Sequence, residues 1–508
     1  MKKAGLAAAL CVARCSPAAH AQEPHLHPVP EKLGTVRFAT SCAPAVQARF
    51  ERAVALLHSF AYDASEQAFR AVADSDRQCA MAHWGIAMSY FHQLWQPPEG
   101  AELQQGQAEI DKARSLNARS KRERQYIEAA AAYYRDSDHV VHAVRAKAYE
   151  QAMAEVAGSN PTDAEARIFH ALAMIATAPP ADRSHANQKR AIETLEPIFR
   201  AQPEHPGVAH YLIHACDSAE LAARGLSAAR AYSKIAPSAP HALHMPSHIF
   251  TRLGYWDDSI ASNQAARSAA RVQGDLGEEL HSMDYLTYAF LQRGRVVEAT
   301  RVVDDLRAMG GGLGAQFKTG YAATAMPVRL VVERHEWAAA ASLEPVPQSP
   351  PQVAALVYWT RAVAQARTGH PQAADADVVR LEASERQLES AGNLYWATQV
   401  EILGKEARAW QAQASGHNDE AIRLLRAAAD EEDAVEKLPV TPGPVVPARE
   451  QLGEILLELD QPREALREYQ TSLLATPGRR GALSGAAAAA ERAGDAGAAA
   501  HYRTMLGE

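Results

Sequence analysis

The chain is short of several things at once. Aromatic residues make up only 6% of its 508 positions, there are 5 Cys, and no internal stretch holds the apolar residues needed for a membrane helix. It has no basic block: Lys plus Arg number 52 against 60 Asp plus Glu, a formal charge of -8 that lacks the positive footprint of a nucleic-acid binder. There is no HExxH for the common zinc-protease pattern, no CxxCH for attached haem and no Gly-rich phosphate loop. No Ser-His-Asp or Cys-His arrangement can be assembled from sequence order, so no catalytic residue is assigned and an enzyme reading has the least support. What remains is an acidic composition, 47% apolar, with an excess of one residue: 21 His.

The first 21 residues read as a Sec-type signal peptide. Lys2 and Lys3 precede a short apolar run, and Ala19-His20-Ala21 offers small residues for cleavage before Gln22. Removal takes away Lys2, Lys3 and Arg14, making the chain more acidic, and leaves Cys42, Cys79 and Cys216. A periplasmic or secreted protein meets an oxidising compartment. Cys42 and Cys79 flank the first expected hairpin, where a disulfide would staple it, and Cys216 stays unpaired.

Self-comparison finds a repeat. A Gly or polar turn, then a large residue or Pro, then a small residue recurs at Gly254/Ser259, Gly294/Ala299, His335/Ala340, Gly369/Ala374, Gly416/Ala421, Asp460/Ala465 and Gly494/Ala499. Successive small residues lie 34 to 47 positions apart, with apolar residues at helical spacing around them. A hairpin of this kind cannot bury its own face, so neighbours must stack. Ala465, Tyr469 and Pro477 fit the small, aromatic and terminal-Pro positions of the tetratricopeptide repeat, and the pattern resembles that superfamily. The segments HSFAYDASEQAF, CAMAHWGIAMSYFHQLW, PHALHMPSHIFTRLGYW and PVTPGPVVPARE also resemble an exported, histidine-rich bacterial subgroup of unsettled function. The resemblance implies an all-α solenoid of stacked antiparallel hairpins, and export. It supplies no catalytic residue.

The expected organisation is a signal peptide (1–21), an N-terminal extension (22–44), N-terminal and middle repeats with a His-lined groove (45–309), further repeats (310–435), a Pro-rich loop (436–448) and C-terminal repeats with a cap (449–508). The loop carries Pro439, Pro442, Pro444 and Pro447 and cannot be helix interior; it is either a plain insertion or a cover over a groove.

The histidines are polarised. By the repeat register His58, His92, His170, His210, His214, His248 and His281 fall on first helices, which line the concave face of such arrays, whereas His335, His370 and His417 fall at turns. His58, His92, His170, His281 and Asp284 form the candidate ligand groove. Trp84 and Trp95 flank His92, with Trp84 read as packing core. His210 and His214 stand one helical turn apart, and His244 and His248 repeat that spacing in the next hairpin, so these four form the candidate metal cluster, for zinc or copper. The leading functional expectation is a groove that binds a peptide or protein segment. The alternative is a metal-binding protein, or a metal-dependent hydrolase with Asp217 or Asp284 as proton acceptor.

Overall fold

The turns explain the architecture. In the computed structural model, which describes residues 31–94, 97–179 and 181–507, all seven turn positions found in the sequence have positive φ: Gly254, Gly294, His335, Gly369, Gly416, Asp460 and Gly494. At each, the next residue's N–H reaches back five residues into the preceding helix, as in Tyr255 N to Phe250 O (2.8 Å) and Asp495 N to Ala490 O (2.9 Å). This is the Schellman ending, which closes a helix through a left-handed residue and sends the chain back antiparallel. The small residues Ser259, Ala299, Ala340, Ala374, Ala421, Ala465 and Ala499 are all buried where the second helix meets the first.

The result is an array of antiparallel helical hairpins, with no strand among the described residues. Representative pairs are Gln47–His58 with Tyr62–Ser75, Leu394–Ala414 with Asn418–Ala434, and Ala448–Glu458 with Pro462–Ala475. One hairpin is truncated: its second helix is only Trp337–Ala340, and Pro345, Pro347 and Pro350 follow before the helix Pro351–Arg367. Residues 32–508 form one compact unit. No helix among the described residues is long and apolar enough to cross a membrane. The signal-peptide segment, residues 22–30 of the N-terminal extension and Trp95 lie outside the described residues.

Two long-range closures bring distant repeats together. Near the N-terminus, Phe38 packs against Phe50, Trp84 and Tyr126, and the His58 ring meets Tyr211. Near the C-terminus, Trp256 donates from Nε1 to Gly478 O (2.9 Å) and Arg480 N donates to Gln292 Oε1 (2.9 Å). Cys42 and Cys79 are joined by a disulfide that closes 37 residues of chain. In chain-entropy terms such a loop contributes about 4 kcal/mol. Cys216 is a free, buried thiol, and burial pushes it up to about 12.

Residues 436–447 run without helix between Asn418–Ala434 and Ala448–Glu458 and lie across first helices. Arg329 donates to Pro444 O (3.0 Å), Gly443 O (2.9 Å) and Thr441 Oγ1 (2.9 Å), and Arg479 donates to Val445 O (3.3 Å). Tyr395 accepts Leu438 N–H (3.1 Å) and Tyr285 donates to Thr441 O (3.1 Å). Buried arginines thus satisfy the carbonyls of a segment that has no ladder of its own.

Candidate metal centre

Three helical segments from consecutive hairpins supply the histidines: Pro206–Ala215, the pair Pro240–His244 and Pro246–Arg252, and Leu276–Gln292. Pro206, Pro240 and Pro246 each sit in a first turn, where a missing N–H costs nothing. His241, His244 and His248 lie within eight residues, yet His241 meets His210 while His244 meets His248.

The four imidazoles expected to meet as one cluster are divided between two. His210 and His214 join His241, while His244 and His248 join His281; within each triad one candidate ligand atom per residue lies within 4.8 Å of the others. In the first triad His210 Nε2 stands 3.0 Å from His214 Nε2 and 3.2 Å from His241 Nε2. In the second, the Nε2 atoms of His244 and His248 are 3.0 Å apart, and the His281 ring centroid is 4.4 Å from that of His244. The triads adjoin: ring centroids are 6.2 Å apart for both His241–His244 and His214–His248. All six imidazoles are buried.

The opposite ring nitrogens decide the chemistry. His210 Nδ1 donates to the backbone carbonyl of His58 (2.6 Å), His241 Nδ1 to Glu278 Oε1 (3.1 Å), His244 Nδ1 to Asn263 Oδ1 (2.6 Å) and His248 Nδ1 to Asp217 Oδ2 (2.9 Å). The Asn263 amide is oriented by its own Nδ2 donation to Ser259 O (2.8 Å). These four partners are acceptors, so the four rings carry their proton on Nδ1 and present a bare lone pair at Nε2. His214 can lend one proton to His210, but His241 still faces His210 lone pair to lone pair, and His244 faces His248 likewise. Burial, reinforced by neighbouring imidazoles, lowers His210, His214, His244 and His281 well below the usual imidazole range, and burial lowers His248. Protonation is therefore a poor remedy. Lone pairs about 3 Å apart, with each far nitrogen held by an oxygen, are the geometry of imidazoles that ligate one ion.

The acceptors are themselves held in the charged state. Burial works to raise Asp217, but Lys437 and Arg252, together with the His248 N–H, outweigh it and keep the carboxyl well below its usual range. Lys437 donates to Asp217 Oδ2 (3.1 Å) and Arg252 to Oδ1 (2.9 Å). Burial likewise opposes the ionisation of Glu278, and Lys318 and His241 overcome it. Aromatic rings wall each triad: Phe60 packs on His210 at 4.3 Å, and Tyr285 packs on His244, His248 and His281 at 4.8, 5.1 and 5.2 Å.

The expected ligand-groove residues do not share a surface. His58 is fully buried between Glu165 and Tyr211; His92 lies beyond the end of its helix, Ala80–Tyr90, stacked on Tyr62 at 4.1 Å. His170 faces Glu150 at 3.5 Å, and His281 belongs to the second triad. Asp284 is paired with Arg329 at 2.9 Å, both fully buried. Its carboxyl is committed to anchoring the arginine that binds the Pro-rich segment, which removes it from any groove wall. His335, His370 and His417 are exposed at turns. Sequence reasoning passed over His241, Glu278, Asn263, His205 and Glu165. Only His241 left a signal, its place in the Pro240-His-Ala-Leu-His run.

No protein-family model and no curated protein matches the chain. Among solved structures, the human IFIT1 dimer with PPP-AAAA is 10% identical over 84% of this chain and 90% of that one, with a TM-score of 0.35. The P58(IPK) TPR domain is 14% identical over 84% and 99%, with a TM-score of 0.22. Naa15/Naa10 bound to HypK-THB is 12% identical over 90% and 62%, with a TM-score of 0.26. The stacked hairpins themselves carry the assignment of fold. The chain is built as a tetratricopeptide-repeat-like solenoid.

Proposed function

We propose that this is an exported metal-holding repeat protein, with two transition-metal ions of the zinc or copper class bound side by side. His210, His214 and His241 hold one ion, and His244, His248 and His281 the other. The observation that carries the reading is the pair of Nε2-to-Nε2 approaches between rings whose Nδ1 protons are already committed to oxygen acceptors. Three neutral imidazoles suit zinc and copper, and the observed spacings fit two bonds of roughly 2.0–2.1 Å to a shared ion. Depth of burial favours a structural or storage role over hydrolysis, because a substrate cannot reach the ligands without moving the Tyr285 wall and the segment above it. The Cys42–Cys79 disulfide supports an oxidising compartment. A partner peptide on the first helices would meet the chain's own Pro-rich segment there, and this weighs against the groove reading.

Metal analysis of the purified, untagged chain tests the proposal. Two ions per chain are expected, with loss of one in His214→Ala and of the other in His248→Ala. A chain that takes up neither zinc nor copper, and melts at the same temperature with and without them, would refute it.

A further inference from the structure

Away from the histidines, a cavity of about 390 Å³ opens beneath the Pro-rich segment. Trp359, Tyr395, Trp396 and Tyr321 contribute aromatic surface to it, and Glu406 and Glu432 enter it from facing helices of one hairpin, Leu394–Ala414 and Asn418–Ala434. Its rim includes Leu474, which is 78% exposed, so the space communicates with solvent. The volume is that of a small-molecule site, and its makeup, aromatic walls with few polar groups, is the usual one.

The polar groups inside are incompletely satisfied. Trp359 is 1% exposed and Glu406 2%; Trp359 Nε1 and Glu406 Oε2 make no hydrogen bond of good geometry among the described residues, although the Trp359 N–H and the Gln451 amide both face the Glu406 carboxyl. Other charges on the cavity wall are spoken for: Asp433 by Arg449 (2.7 Å), Glu436 by Arg252 (3.1 Å) and Lys437 by Asp217 (3.1 Å). No ion pair to Glu406 or Glu432 occurs among the described residues; Glu432 accepts only the Ala448 N–H, at 3.2 Å. Glu406 is buried and Glu432 half-buried; an acidic pair so enclosed without a paired cation is costly, and poorly bonded buried polar atoms mark places where a ligand completes the bonding.

We infer that this cavity binds a small organic cation, an ammonium or amidinium group on an apolar body, with Glu406 and Glu432 as its counter-charges and the aromatic rings as its cage. Aromatic faces attract cations most strongly where water is excluded. A positive guest also resolves the acidic pair, since it takes the place of the proton that burial otherwise forces onto it. Burial, then Glu432, raises Glu406 well above the carboxylate range, and burial raises Glu432 to about 8. The groups facing the pair are Gln451 and Trp359 toward Glu406, and the Ala448 N–H, Asp433, Arg479 and Arg449 toward Glu432. The inference is independent of the metal reading, because no cavity residue it uses is a proposed metal ligand.

Titration calorimetry of the full chain with 2-phenylethylammonium, against neutral 2-phenylethanol, tests it. The amine is expected to bind at least tenfold more tightly than the alcohol, and Glu406→Gln to abolish that preference. In the wild type, repeating the amine titration in two buffers of different ionisation enthalpy should reveal proton release on binding, absent for the alcohol; this measurement stands even if the variant fails to fold. Equal affinity for amine and alcohol, no amine binding, or amine binding without proton release would each overturn the inference, as would an unchanged preference in a folded Glu406→Gln chain.

Discussion

Two kinds of buried imidazole cluster lie side by side in this chain, and their protons tell them apart. In the cluster His58–Glu165–His205, every ring nitrogen has a complementary partner. His205 Nδ1 accepts the Val208 N–H at a helix start, and its Nε2 donates to Glu165 Oε1 (2.9 Å). His58 Nδ1 accepts the Tyr211 hydroxyl (2.8 Å), and its Nε2 donates to Glu165 Oε2 (2.9 Å). Nothing is left over, so this cluster is mortar between repeats. The two triads show the reverse: four of their six rings give the Nδ1 proton to an oxygen, and the Nε2 lone pairs of His210 and His241, and of His244 and His248, point at one another. Counting candidate ligands would rank all three clusters alike. Counting hydrogens separates a packed core from a ligand set.

The largest expected effect breaks the comparison from the triad side. Chelation of the loaded protein, or the double substitution His214→Ala with His248→Ala, should remove both ions and lower the melting temperature by an amount that grows with free metal concentration in the parent. Melting curves at several zinc concentrations check this. A double variant that keeps its metal would return the triads to the packing class.

Glu165→Ala attacks the other cluster. It leaves two buried imidazole N–H groups without an acceptor, a loss on the order of 3–5 kcal/mol, with metal content unchanged. The same contribution should be acid-labile. Burial opposes ionisation of Glu165, but His205 and His58 outweigh it and hold the carboxyl at about 2, against 4.5 unperturbed. A value lower in the folded state than in the unfolded one stabilises above pH 4.5 and is lost as pH falls from 4.5 toward 2. Urea midpoints of metal-free parent and Glu165→Ala should therefore converge through that window. Parallel curves would show that the carboxylate's charge is not what binds the repeats.

A finer cut separates the two triads from each other. Glu278→Gln weakens the acceptor behind His241, and Asn263→Ala removes the one behind His244. Each should loosen one ion by about 10- to 100-fold and spare its neighbour. Competition with a chromophoric chelator reads the two affinities separately. Equal loss at both sites in either variant would mean that the six imidazoles act as one unit.

How far this was legible in the sequence follows from the range of each interaction. The hairpins were readable because a Schellman turn needs a left-handed residue and the close helix crossing needs a small one, both local demands. The pairs His210/His214 and His244/His248 were readable as single helical turns. Their division between triads was not, because it depends on His241 meeting His210 of the preceding hairpin and on His281 arriving from the next one. Glu278 and Asn263 left no mark, since an acceptor behind an imidazole is chosen by packing register between helices. Asp217 was legible as a neighbour but was read as a proton acceptor for chemistry; Lys437, Arg252 and His248 occupy it instead.

The smallest effect concerns the link between the second triad and the segment above it. Tyr285 contributes a ring to the wall around His244, His248 and His281, and a hydroxyl that donates to Thr441 O (3.1 Å). Tyr285→Phe keeps the ring and deletes the donor, leaving a buried carbonyl short of a partner, at a cost of about 1 kcal/mol. Metal content should stay at the parent value while hydrogen exchange quickens in residues 438–446. If instead the metal is lost along with the hydroxyl, the Pro-rich segment is part of what holds the ion. The triads would then differ from the Glu165 cluster in a second respect, because their integrity would depend on a part of the chain some 150 residues away.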